Sequence, residues 1–203
     1  MSFSLTTDYT DEIEFDGRTY TVDTAFDTVL MVFELLEDDT FLDFEKITIA
    51  LELFLDEEFK DEDWKGNFEL FKRIFNEHLD IDLDEKSEDG SEKKIYDFEK
   101  DAELIYASFF SAYNIDLIEA KGDLPWHKFI KLLCQLDEKS PFKKAIGYRT
   151  MKIPKETKHN KDHVKELKRL KQAYALDQEP ESQESLDSKL DSAFSAFKGG
   201  GKT

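Results

Sequence analysis

Side chains able to do chemistry are abundant in this chain, but few stand in a pattern that chemistry needs. Aspartate and glutamate number 47 against 28 lysines and arginines. Paired carboxylates could share acid–base work in hydrolysis. Here they alternate with apolar residues along helical stretches, where charge runs are ordinarily solvated faces. His159 and His163 are four apart and could share one helix face, as metal ligation requires. No cysteine joins them, no glutamate stands where a zinc protease places its base, and a structural zinc site wants four ligands. Asp80, Asp82 and Asp84 alternate like the start of a calcium loop. A twelve-residue loop begun at Asp80 needs glycine sixth and glutamate last; Glu85 and Ser91 stand there instead. The run from Ala196 to Thr203 ends Gly199-Gly200-Gly201-Lys202-Thr203, a relaxed phosphate-loop match. A working loop follows a buried strand and opens a helix, and neither is expected around it. Gly-x-Ser-x-Gly is absent. The sequence predicts no enzyme, no cofactor and no metal.

The composition bounds the remaining choices. With 39% hydrophobic and 13% aromatic residues, the chain carries enough apolar surface for a core and is not disordered throughout. Cys134 is the single cysteine, which rules out an internal disulfide framework and predicts a reducing compartment, the cytoplasm of a cell. It sits inside an apolar stretch, as an inert buried thiol would. No basic start followed by an apolar run marks a signal peptide, and no stretch is apolar for long enough to predict a membrane partner. The net charge of −19 is unevenly spread. Residues 1–100 hold 31 acids and 10 bases, a net of −21, whereas residues 139–171 hold 12 bases and three acids, a net of +9. An acidic body repels phosphate, which argues against nucleic acid as a partner.

These charges hang on a mainly helical α+β framework: a helical bundle with a small N-terminal β-hairpin and a flexible C-terminal tail. Glu12–Phe15, Asp16-Gly17 and Arg18–Val22 read as the hairpin, with Asp-Gly supplying two positive-φ turn positions. A lone hairpin is marginal, so it must pack on helices. Three helices follow, over about 24–37, 43–55 and 62–78. Their expected inward stripes are Phe26, Val29, Leu30, Phe33 and Leu36; then Phe44, Ile47, Ala50, Leu51 and Phe54; then Trp64, Phe68, Phe71, Ile74, Phe75 and Leu79. The expected organisation is 1–80 for hairpin and three helices, 81–95 for an acidic linker or loop, 96–150 for an aromatic helical core, 151–176 for a basic arm, and 177–203 for the tail. A short helix over 186–197 could fold on a partner.

Within 96–150, Phe98, Ala102, Ile105 and Phe109 recur at helical spacing, widened by Tyr106 and Tyr113. Asp97 suits a helix cap. A second apolar helix enters through Pro125-Trp126-His127-Lys128-Phe129, and a third segment covers Ser140–Arg149. Trp126 could anchor the helix start by packing or stand exposed for a partner, with Phe129 beside it. These residues also carry a likeness. Tyr96-Asp97-Phe98 with Asp101–Phe109, Tyr113-Asn114-Ile115-Asp116-Leu117, Pro125–Phe129 and Gly147-Tyr148-Arg149 resemble a family of small proteins from the tail-gene clusters of tailed phages of Gram-positive hosts. Asn114 stands where such sequences often have glycine, and His127 where they often have a second aromatic. The resemblance spans most of residues 1–175 and is specific over 96–149. It implies a tail assembly chaperone acting in the cytoplasm of the bacterial host, without catalysis. Implied partners are the tape-measure protein and the tail tube protein, and the chain is expected to self-associate.

In the basic arm, Val164, Leu167, Leu170 and Tyr174 line one side of a helix, with Lys165, Lys168, Arg169 and Lys171 outside that stripe. The stripe could dock on the chain's own acidic body. Alternatively, Val164, Leu167, Lys168, Arg169, Leu170 and Tyr174 could face an acidic partner or a neighbouring subunit. Two other functions fit the charge: a phosphate-mimicking inhibitor of a host nucleic-acid-binding protein, and an enzyme with an unrecognised carboxylate site.

Overall fold

The computed structural model describes residues 10–60, 63–83 and 94–176. Strands β1 (Glu12–Phe15) and β2 (Arg18–Thr21) pair antiparallel, with Ile13 opposite Tyr20. Asp16 and Gly17 take φ of 49° and 77°, the geometry a two-residue turn of this hand demands. Ile13, Tyr20 and the following Val22 are buried, so the hairpin is closed by the core on one face.

Seven helices follow among the described residues: α1 (Phe26–Glu37), α2 (Asp43–Leu55), α3 (Trp64–Leu79), α4 (Ala102–Tyr113), α5 (Trp126–Cys134), α6 (Pro141–Thr150) and α7 (Lys161–Ala173). The fold is therefore mainly helical with an N-terminal hairpin. Helices α1, α2 and α3 pack in sequence, and α5 touches α1, α3 and α4. The described residues fall into two compact units, divided within α6 between Lys144 and Ala145. Residues 84–93, most of the expected acidic linker or loop, and residues 177–203, with the expected tail and its expected short helix, lie outside the described residues.

Two expected inward residues, Phe44 and Trp64, are exposed. On α1, Leu30 and Leu36 are only half-buried, and Val32, outside the expected stripe, is fully buried as Val29 is. On α2 the buried position near Phe44 belongs to Lys46, whose ammonium donates to the Leu36 carbonyl at 2.9 Å. That bond satisfies a C-terminal carbonyl of α1 and lets the lysine stem cover the corner. Trp64 instead lies beneath the ammonium of Lys65, 5.8 Å from the ring centre.

Helix α4 starts at Ala102, later than the apolar repeat from Phe98 suggests. The carboxylate of Asp97 accepts the amides of Glu99 and Lys100, and buried Asp101 accepts the amide of Asp97. These side-chain bonds hold a turn over 98–101 in place of a first helical turn. Helix α4 ends at Asn114 with φ of 53°. Asparagine, like glycine and aspartate, tolerates this left-handed cap, which Asp56 and Asp80 take at the ends of α2 and α3.

Candidate binding cleft and surface

A two-residue bridge fixes the start of α5. Phe26 N–H donates to the Leu124 carbonyl at 2.9 Å, and Trp126 N–H donates to the Thr24 carbonyl at 2.7 Å. Ala25 and Pro125 thus form an isolated antiparallel pair that joins the first turns of α1 and α5. Asp23 braces the same point by accepting Ala25 N–H and the Thr28 hydroxyl. The sequence contact is a hundred residues long in effect, and it drives Trp126 into the interior.

There, Phe129 stacks on Phe26 at 4.9 Å, on Phe109 at 5.1 Å and on Trp126 at 5.6 Å. Trp126 meets Phe33 edge-on at 5.4 Å and Phe98 at 5.8 Å. Such offset and edge contacts each add about 0.5–1.5 kcal/mol beyond burial. Trp126 is 4% exposed and Phe129 1% exposed. Of the two readings open for Trp126, the structure takes packing. Neither residue stands on the surface for a partner, because the Ala25–Pro125 bridge aims the first turn of α5 inward.

One edge of this aromatic cluster opens into a cleft of about 480 Å³. Phe33, Tyr96, Phe98, Trp126 and Ile130 form its apolar walls. Asp11 and Glu12 approach from β1, Glu77 and Asp80 from the end of α3, and Lys131 from α5. His78 and His127, 49 positions apart in sequence, both face it. Burial pushes the pKa of each histidine below its ordinary value. The negative charge of Asp11 pulls both back toward it, and Lys128 pushes His127 further down. Nε2 of His78 is buried without a hydrogen-bond partner. A neutral imidazole tolerates that burial better than a charged one would. Despite the two histidines and four carboxylates, no group of three or more His, Cys, Asp or Glu side chains among the described residues could hold a metal ion.

A second feature lies at the α1–α2 corner. Phe41, Leu42 and Phe44 are 40%, 61% and 40% exposed. Asp38, Asp39, Asp43 and Glu45 stand among them in the sequence, so three large apolar side chains protrude from an acidic corner. The backbone there is well held: Asp38 accepts the Thr40 amide, and Glu45 accepts the Leu42 amide at 2.8 Å. Exposed clusters of this kind mark interaction sites more often than chance apolar residues do. Sequence periodicity assigned Phe44 to the core, and only the proximity of Phe41, Leu42 and Phe44 to a short acidic turn hinted otherwise.

The second unit keeps part of its apolar stripe to itself. Val164 is buried, and Leu167 and Leu170 are half-buried. Tyr174 stacks on Tyr148 at 5.1 Å, and its carbonyl accepts the guanidinium of Arg149. Lys171 donates to the Met151 carbonyl at 2.8 Å. Lys168 and Arg169 are exposed, and Arg169 pairs with Glu166 at 3.0 Å. Val164 and Tyr174 therefore serve packing within the chain, while Lys168 and Arg169 present charge to solvent. His159 and His163 are both exposed. Cys134 is exposed as well, contrary to its expected burial, because α5 turns its last residue outward.

A family model described as Bacteriophage Gp15 protein matches residues 6–176. No curated protein and no solved structure matches the chain.

Proposed function

From the membership of this chain in the bacteriophage Gp15 protein family, we propose that it is a non-catalytic tail assembly chaperone. It binds the tape-measure protein in the cytoplasm of the infected bacterium and holds it soluble while tail tube subunits are recruited. The observation that carries this reading is the exposed corner of Phe41, Leu42 and Phe44, flanked in the sequence by Asp38, Asp39, Asp43 and Glu45. A chaperone for a long, aggregation-prone partner needs apolar side chains to cover the partner's own. It also needs charge around them to keep the complex soluble. A net charge of −19 supplies that repulsion between complexes.

The test is co-expression with the tape-measure protein of the same phage, followed by affinity capture and light scattering. The chaperone reading requires the tape measure to become soluble and to co-purify. The triple variant Phe41→Ser, Leu42→Ser, Phe44→Ser should lose that effect while keeping the parent's circular dichroism at the assay temperature, because none of the three belongs to the buried core. A tape measure that stays insoluble and unbound sinks the reading. Salt-sensitive capture of a basic host nucleic-acid-binding protein would then favour phosphate mimicry.

A further inference from the structure

The cleft between β1, α3 and α5 is separate from the exposed corner and has a chemistry of its own. Its walls are aromatic and aliphatic, from Phe98, Trp126 and Ile130, and its rim carries Asp11, Glu12 and Glu77. An anion is excluded, because the carboxylates lining the cleft outnumber its one ammonium, from Lys131. The two imidazoles are held toward neutrality by burial and add no compensating positive charge. A metal ion is excluded by geometry, since the described residues converge in no three-ligand set. A purely apolar ligand would strip water from the rim carboxylates and return no hydrogen bonds to them. What remains is a cation on an apolar stem. Aromatic faces attract such a cation through their quadrupoles, and carboxylates accept its N–H donors. Glu77 already pairs with Arg73, which does not line the cleft, its carboxylate accepting Nε at 2.7 Å, so Asp11 and Glu12 are the rim acceptors for such a cation. At about 480 Å³ the cleft has room for a whole arginine or lysine side chain with an apolar neighbour.

We propose that this cleft is a docking site for a segment of a partner protein that presents an arginine or lysine beside apolar residues. The cation lies over the accessible aromatic rings of Tyr96 and Phe98 against Asp11 and Glu12, the neighbouring apolar side chain covers Ile130, and Trp126 stays packed behind this wall. The inference does not depend on the tape measure being the partner. Its test needs only this chain and synthetic peptides, so its failure and that of the chaperone reading are distinguishable.

The experiment uses full-length chain carrying Trp64→Phe, which leaves Trp126 as the sole tryptophan and a reporter in the cleft wall. The probes are acetyl-Leu-Arg-Leu-amide, its citrulline counterpart of nearly equal shape and no charge, and agmatine. Trp126 fluorescence and the ring-proton signals of His78 and His127 follow each titration. The expected result is saturable binding of the arginine peptide, at least tenfold tighter than the citrulline peptide and than agmatine. Binding should weaken at least fivefold in the pair Asp11→Asn, Glu12→Gln and stay unchanged in Glu103→Gln, an exposed carboxylate on α4. Equal binding of arginine and citrulline peptides overturns the proposal, as does no saturable change at either reporter. Agmatine binding as tightly as the arginine peptide overturns it too, since that would make the cleft a site for free small cations. Binding that survives the rim substitutions likewise refutes it.

Discussion

Ser108 offers a sharp test of how the aromatic helices hold together. Its side chain is fully buried on α4, where sequence periodicity pointed to larger neighbours. The hydroxyl donates to the Leu104 carbonyl at 2.6 Å and accepts Phe142 N–H at 3.1 Å. Helix α6 opens with Pro141, which has no amide proton to satisfy. Lys143 N–H is taken by the Ser140 hydroxyl and Lys144 N–H by the Ser140 carbonyl. Phe142 N–H is the one remaining first-turn donor, and Ser108 is its acceptor. Ser108→Ala leaves that donor buried without a partner, which costs about 1–3 kcal/mol. Alanine's better helix propensity returns up to about 0.5 kcal/mol, so the net loss should be about 1–2 kcal/mol. Ser111→Ala, at an exposed position on the same helix, carries the propensity gain without the lost bond and should be neutral or slightly stabilising. Urea denaturation followed by circular dichroism measures both. If the two variants are equally stable, the Ser108 hydroxyl does not cap α6, and the account of the α4–α6 joint is wrong.

Further outcomes follow from the same structure. Phe129→Ala removes the ring shared by Phe26, Phe109 and Trp126 and should cost about 3–5 kcal/mol, read as a large fall in the denaturation midpoint. Asp56→Gly should stabilise by roughly 0.5–1 kcal/mol, because Asp56 caps α2 at φ of 49° and places a negative charge at the helix's negative end. For His78 the folded pKa lies below the unfolded value of 6.5, so the unfolded chain takes up the proton more readily. The stability tied to neutral His78 is fully present above about pH 6.5 and is lost as pH falls through the folded pKa. His78→Gln should shrink the stability difference between pH 7.5 and pH 5.5 measured in urea, and an unchanged difference would show that His78 is not desolvated.

Much of the fold was written in local patterns. Asp16-Gly17 specified the hairpin turn, and α2 runs over Asp43–Leu55 as its periodicity indicated, because those signals act over neighbouring residues. Phe71, Ile74 and Phe75 are buried as their spacing required. Periodicity failed where a side chain's environment was set by something distant or by its own polar neighbours. Trp64 and Phe44 belong to apolar stripes yet face water, because a helix end can turn a stripe residue past the edge of the core. Lys46 is buried because its stem and one bond to Leu36 complete that corner.

What the sequence determined by itself is the helical content, the hairpin, the polarity of charge along the chain and the likeness to a phage protein family, which the family match bears out over residues 6–176. What only tertiary structure decided is which side chains meet. His78 and His127 face one cleft, and Ala25 pairs with Pro125, although long stretches of chain separate each pair. Hydrogen bonds to residues next in line leave a periodic trace, whereas contacts between separate helices depend on how whole faces pack and leave none.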